Sequence, residues 1–112
     1  MKLVMLILNK TECLDELLEE FAEAELPGAT IVDSRGMVQE LNEMEDDFRI
    51  AGSLRHFFAP AHSENKTIFM VVKDEDVATV SRLVNKATGG LENPDTGILF
   101  TLAIDDVEGI TR

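Results

Sequence analysis

Residues Met37 to Lys66 read MVQELNEMEDDFRIAGSLRHFFAPAHSENK, and the place of this stretch between its flanks decides the fold. It is about thirty residues long, whereas an ordinary connection inside a compact domain runs to roughly 4–6. Before it the chain reads as strand, helix, strand; after it the same order returns. Long insertions on a scaffold tend to carry function, so the work of the molecule is expected here. Within it Met37, Leu41, Met44 and Phe48 recur at i, i+4, i+7 and i+11, one face of a helix. Glu40, Glu43, Glu45, Asp46 and Asp47 surround that stripe. Ile50, Leu54, Phe57 and Phe58 continue the apolar theme until Pro60 breaks it. Part of the insertion is therefore expected to be helical and docked.

Upstream, Lys2 to Leu8 is an almost unbroken apolar run, the pattern of a strand covered on both faces. Asn9 or Thr11 is expected to cap the helix that follows. In that helix Leu14, Leu17, Leu18, Phe21 and Ala22 form one buried stripe, acids fill the rest, and Pro27-Gly28 ends it. Ala29 to Ser34 reads as a short second strand, with Thr30 and Val32 on one face and Ile31 and Asp33 on the other. Downstream, Thr67 to Lys73 is a third strand. Asp74 is expected to cap a second helix whose buried stripe is Val77, Val80, Leu83, Val84 and Ala87. Gly89-Gly90 stops it, a turn-rich loop reaches Gly97, and Ile98 to Ile104 is the fourth strand.

The 112 residues are expected to form one domain, residues 1–112, with 37–66 as its insertion. A net charge of -12, from 22 acids against 10 bases, argues against nucleic acid and against an anionic membrane surface. The single Cys13 excludes an internal disulfide and a multi-cysteine metal framework, and it fits a reducing cytoplasm. The run Leu3 to Leu8 is too short for a signal peptide core or a membrane span. No nucleophile, zinc-ligand or phosphate-loop signature appears, so an enzyme is not expected.

The order β-α-β, insertion, β-α-β is that of a ferredoxin-like βαββαβ fold, an α+β fold with a four-stranded antiparallel sheet and both helices on one face. Two helices cover one face only, yet the first, third and fourth strands are apolar on both. A large exposed apolar face marks an interface. A closed homo-oligomer is the expected solution.

So arranged, the chain resembles the PII signal-transduction superfamily from Lys2 to about Ile104. GATIVDSRG (Gly28–Gly36) resembles the family's second strand running into its long T-loop. KATGG (Lys86–Gly90), followed by GILF (Gly97–Phe100), resembles the B-loop feeding the fourth strand. The resemblance implies a homotrimer with the sheets at its centre, a small effector such as ATP, ADP or another adenine nucleotide between subunits, and a T-loop that contacts a transporter, enzyme or regulator. On matching positions it implies that Thr30 and Gly36 touch the nucleotide and that Gly89 meets phosphates. This chain departs from the family pattern at Asp105, Asp106 and Glu108, where nitrogen-regulatory members carry phosphate-holding arginines, and at Gly90, where a B-loop lysine is usual. It has no tyrosine, which excludes tyrosine uridylylation.

Arg35, Arg49, Arg55 and Lys86 are the bases best placed to replace the missing phosphate ligands, Arg55 foremost because it follows the flexible Gly52; Arg49 and Arg55 read equally as partners of nearby acids. Gly89-Gly90 reads either as a phosphate turn or as a helix C-cap. His56 and His62, with acids, would serve a metal-responsive trimer of the CutA branch, against the plain reading of surface histidines. The acids Glu43, Glu45, Asp46 and Asp47 lack the spacing of a calcium loop, and Cys13 reads as a packed cysteine. Met44, Phe48, Arg49 and Phe57 are the insertion residues expected to meet a partner protein. A structural or interaction trimer without a ligand is the alternative, motivated by the acids after the fourth strand.

Overall fold

The structure is a computed structural model, and it describes residues 1–43 and 64–110. Strand β1 (Lys2–Leu8) leads through a 3-10 turn, Thr11–Cys13, into helix α1 (Leu14–Glu23). Strand β2 (Thr30–Ser34), helix α2 (Met37–Glu43) and strand β3 (Asn65–Val72) follow. A second 3-10 turn, Asp74–Asp76, opens helix α3 (Val77–Thr88), and strand β4 (Gly97–Ala103) comes last. The four strands form one antiparallel sheet in the order β2-β3-β1-β4. With its helices this is the ferredoxin-like α+β arrangement expected from the order of elements. No described helix is long and apolar enough to cross a membrane.

The period of two along each strand divides the sheet into two unlike faces. Val4, Leu6 and Leu8 of β1 and Ile68, Met70 and Val72 of β3 are buried, packed with Leu17 and Phe21 of α1 and Val80, Leu83, Val84 and Ala87 of α3. Their neighbours in sequence line the opposite face. The registers Met5↔Phe69 and Met5↔Phe100, with Phe69↔Thr30, run one row across all four strands on that open side. Val32, Ile98, Phe100 and Leu102 are exposed there, at 45%, 62%, 41% and 47% of their surface.

Both helices begin differently from the sequence expectation. Neither Asn9, Thr11 nor Asp74 caps a helix; the 3-10 turns supply the entry, and no side-chain cap bond forms at Lys10, Cys13, Lys73 or Asp76. The Asp74 carboxylate instead lies 3.1 Å from the Met1 amino group, whose hydrogen bond and charge hold its pKa below the usual value. Helix α1 also stops before Pro27-Gly28. Glu25 takes a left-handed conformation (φ 60°), and the N–H groups of Glu25 and Leu26 donate to the carbonyls of Ala22 and Phe21. This is a Schellman closure, and the buried Leu26 packs in the same cluster as Phe21. Ala22, expected in the buried stripe, is exposed, because the buried face of α1 centres on Leu17 and Phe21 and a helical step of about 100° from Phe21 carries Ala22 past its edge. Helix α3 ends as expected, with Gly89 left-handed at φ 83°.

Strand β3 starts two residues earlier than expected, at Asn65, so the sheet itself extends into the insertion. Of the insertion's helical stripe, Met37 and Leu41 lie in α2, and Met37 is exposed. Met44, Phe48, Arg49, Arg55, His56, Phe57 and His62 lie outside the described residues. Beyond Ala103 the chain has no further strand through Ile110.

Candidate functional site

The insertion leaves the sheet at Ser34 and re-enters it at Asn65, which face each other in register. The Ser34 hydroxyl donates to Asn65 Oδ1 and lies 2.8 Å from Thr67 Oγ1. Asn65, nine-tenths buried, reaches on: its Nδ2 donates to Asn9 Oδ1 at 3.4 Å, a long contact. On the opposite, helix-bearing face of the sheet, Lys66 and Asp33 form an ion pair whose hydrogen bond and charge raise the Lys66 pKa above its ordinary 10.5. Gly36 sits against this stem, where a Cβ would stand 3.6 Å from Asn65 Nδ2.

From Asn9 the contacts continue to the end of α3. The N–H groups of Asn9 and Lys10 both donate to the Thr96 carbonyl, at 2.9 and 3.1 Å, and fix the entry to β4. Lys10 Nζ donates to the Thr88 carbonyl at 2.9 Å. The turn beyond Thr88 is closed by its own side chains. Gly90 N–H donates to Thr88 Oγ1, Leu91 N–H to Asn85 Oδ1, and Asn93 Nδ2 to the Gly89 carbonyl. The amides of Gly90 and Leu91 are thus committed within the fold. Their geometry is that of a helix C-cap.

Gly36, Gly89 and Gly90 therefore gather at one end of the sheet, with Asn9 and Lys10 between the insertion stem and the glycine turn. Thr30 is not among them: it lies on the open face in the Phe69 row, four residues up β2, about 13 Å away along the strand. Arg35 is held by Glu40, one turn into α2, at 2.6 Å. Lys86 faces the other helix and pairs with Glu20 at 3.0 Å. The sequence marks Asn9 only as a helix cap and Lys10 only as part of a strand end; the fold alone reveals that Lys10 lies beside Gly89. At the other end of β4, Asp105 and Asp106 line a shallow pocket with Met1, Ile104, Val107 and Ile110. No group of three or more histidine, cysteine, aspartate or glutamate residues suited to a metal ion occurs among the described residues.

The model of the nitrogen regulatory protein P-II family matches residues 1–112. The chain belongs to this family. Among curated proteins nothing matched the sequence. As a P-II member it is a regulatory protein. Its long insertion lies between β2 and β3.

Proposed function

We propose that this P-II family protein is a cytoplasmic homotrimeric sensor that binds an adenine nucleotide between subunits and signals to a partner protein through residues 37–64. The observation that carries this reading is the run of contacts from Ser34 and Asn65 through Asn9 and Lys10 to Thr88. A ligand seated at that end of the sheet meets the insertion stem and the glycine turn together, so its binding energy can bias the insertion's conformation. The open apolar face, with Val32, Ile98, Phe100 and Leu102 exposed, supports assembly. The chemistry is recognition rather than catalysis.

Calorimetry with ATP, ADP, AMP and cyclic nucleotides, with and without magnesium, on protein sized by light scattering, tests it. Micromolar binding to a trimer is the expected result. A monomer, or a trimer that binds none of them, overturns the sensor reading. The second outcome favours an interaction trimer without a ligand.

A further inference from the structure

We infer that Lys10 is the cation of a phosphate subsite at the Gly89–Gly90 turn, an inference that rests on the nucleotide reading above. The backbone at Lys10 is pinned, because its N–H and that of Asn9 share the Thr96 carbonyl. Its side chain is half-buried and runs to the end of α3, where Nζ donates to the Thr88 carbonyl at 2.9 Å. An ammonium carries three N–H donors, and this contact uses one. The same Nζ stands 3.8 Å from where a Cβ on Gly89 would be, and Gly89 is exposed, so the missing side chain leaves that approach open.

Among the described bases near the insertion stem and the glycine turn, the charge pattern points the same way. Acids outnumber bases 22 to 10 in this chain, and Arg35, Lys66 and Lys86 each hold a carboxylate. Lys10 holds none among the described residues; its partner is a neutral carbonyl. Glu92, the nearest acid in sequence to the turn, lies against Gly90 and outside ion-pair range of Lys10. The turn's own amides do not replace it as anion donors, since those of Gly90 and Leu91 are spent on Thr88 Oγ1 and Asn85 Oδ1. What the turn offers an anion is the Lys10 ammonium. A lysine at a helix C-terminus also interacts favourably with the helix dipole, and this capping role is the one to be separated by experiment.

Binding of ATP and of adenosine is measured by calorimetry on the full chain, its Lys10→Gln variant and its Lys10→Arg variant, with thermal melts of all three. Glutamine keeps a donor for the Thr88 carbonyl and removes the charge; arginine keeps the charge. The expected result is a loss of ATP affinity of about 10- to 100-fold in Lys10→Gln. Lys10→Arg then restores most of it, and adenosine affinity and melting temperature are unchanged. Equal losses for ATP and adenosine, or ATP affinity unmoved by Lys10→Gln, overturn the subsite and leave the sensor reading standing. Absence of ATP binding to the unmodified chain removes both.

Discussion

Lys66 and Asp33 face each other in register across the two strands that bracket the insertion, with Nζ 2.5 Å from the carboxylate. Both side chains meet water, Asp33 almost fully, so the pair is screened by salt and serves to fix the stem more than to stabilise the fold. Its pH dependence has a definite sign. The Lys66 pKa is raised by the hydrogen bond and charge of Asp33, so the pair's contribution is complete below pH 10.5 and is lost as pH rises through the folded-state value. Melting temperature followed from pH 8 to 11.5 should fall more steeply for the natural chain than for Lys66→Met, the two curves converging at the alkaline end. Parallel curves would mean that the pair contributes nothing to stability.

Phe100 stands on the open face opposite Met5, outside the helix-covered core. Phe100→Asp places a charge on that face without touching the buried cluster. It should cost the assembly at least about 2 kcal/mol, the penalty for burying an unpaired charge. Light scattering should report a single-chain mass for the variant, and circular dichroism a folded chain. An unchanged oligomer would show that copies of the chain meet elsewhere.

Gly97 opens β4 where it pairs with Leu8, and a Cβ there would come 2.7 Å from the Ile7 carbonyl oxygen. Backbone cannot swing aside as a side chain does. Gly97→Ala should therefore destabilise the protein by about 1–3 kcal/mol in denaturant unfolding, through the strain of an overfilled site.

Glu25 closes helix α1 in the left-handed conformation that glycine adopts freely. Glu25→Gly relieves a cost of about 1 kcal/mol and should raise stability by up to that amount, the one substitution here expected to stabilise. Thermal unfolding measures it directly. A lowered midpoint would mean that Glu25 makes a contact worth more than its backbone strain.

The strands were legible because their apolar runs are too short for helices and too continuous for loops, as LVMLIL and IFMVV illustrate. The alternation of β2 was legible, Ile31 pairing with the buried Ile68 on the helix side and Val32 lying on the open side, but as an edge strand β2 leaves both exposed, at 40% and 45%. Helix ends were less legible. A 3-10 turn satisfies early amides through backbone geometry and needs no capping side chain, and the Schellman closure at Glu25 gave no glycine to announce it. The candidate site was least legible. Gly36, Gly89 and Gly90 were named from the family resemblance, but Asn9 and Lys10 join them only through contacts spanning up to 78 positions in sequence. No local pattern encodes such a meeting. Lys86 shows the converse, since its place beside the glycines in sequence gave no sign that it turns to Glu20 on the other helix.

The central position of β1 also shapes how the molecule comes into being. Its partners are β3 and β4, and the pair Lys2↔Ala103 joins residues about a hundred positions apart. The entropy of closing so large a loop must be met before either ladder gains a bond, which is the condition for slow folding. During synthesis the apolar first strand emerges long before the strands that will shield it. For most of that time it is a sticky ribbon without neighbours, and a chain released before Gly97 would lack one full side of its central strand.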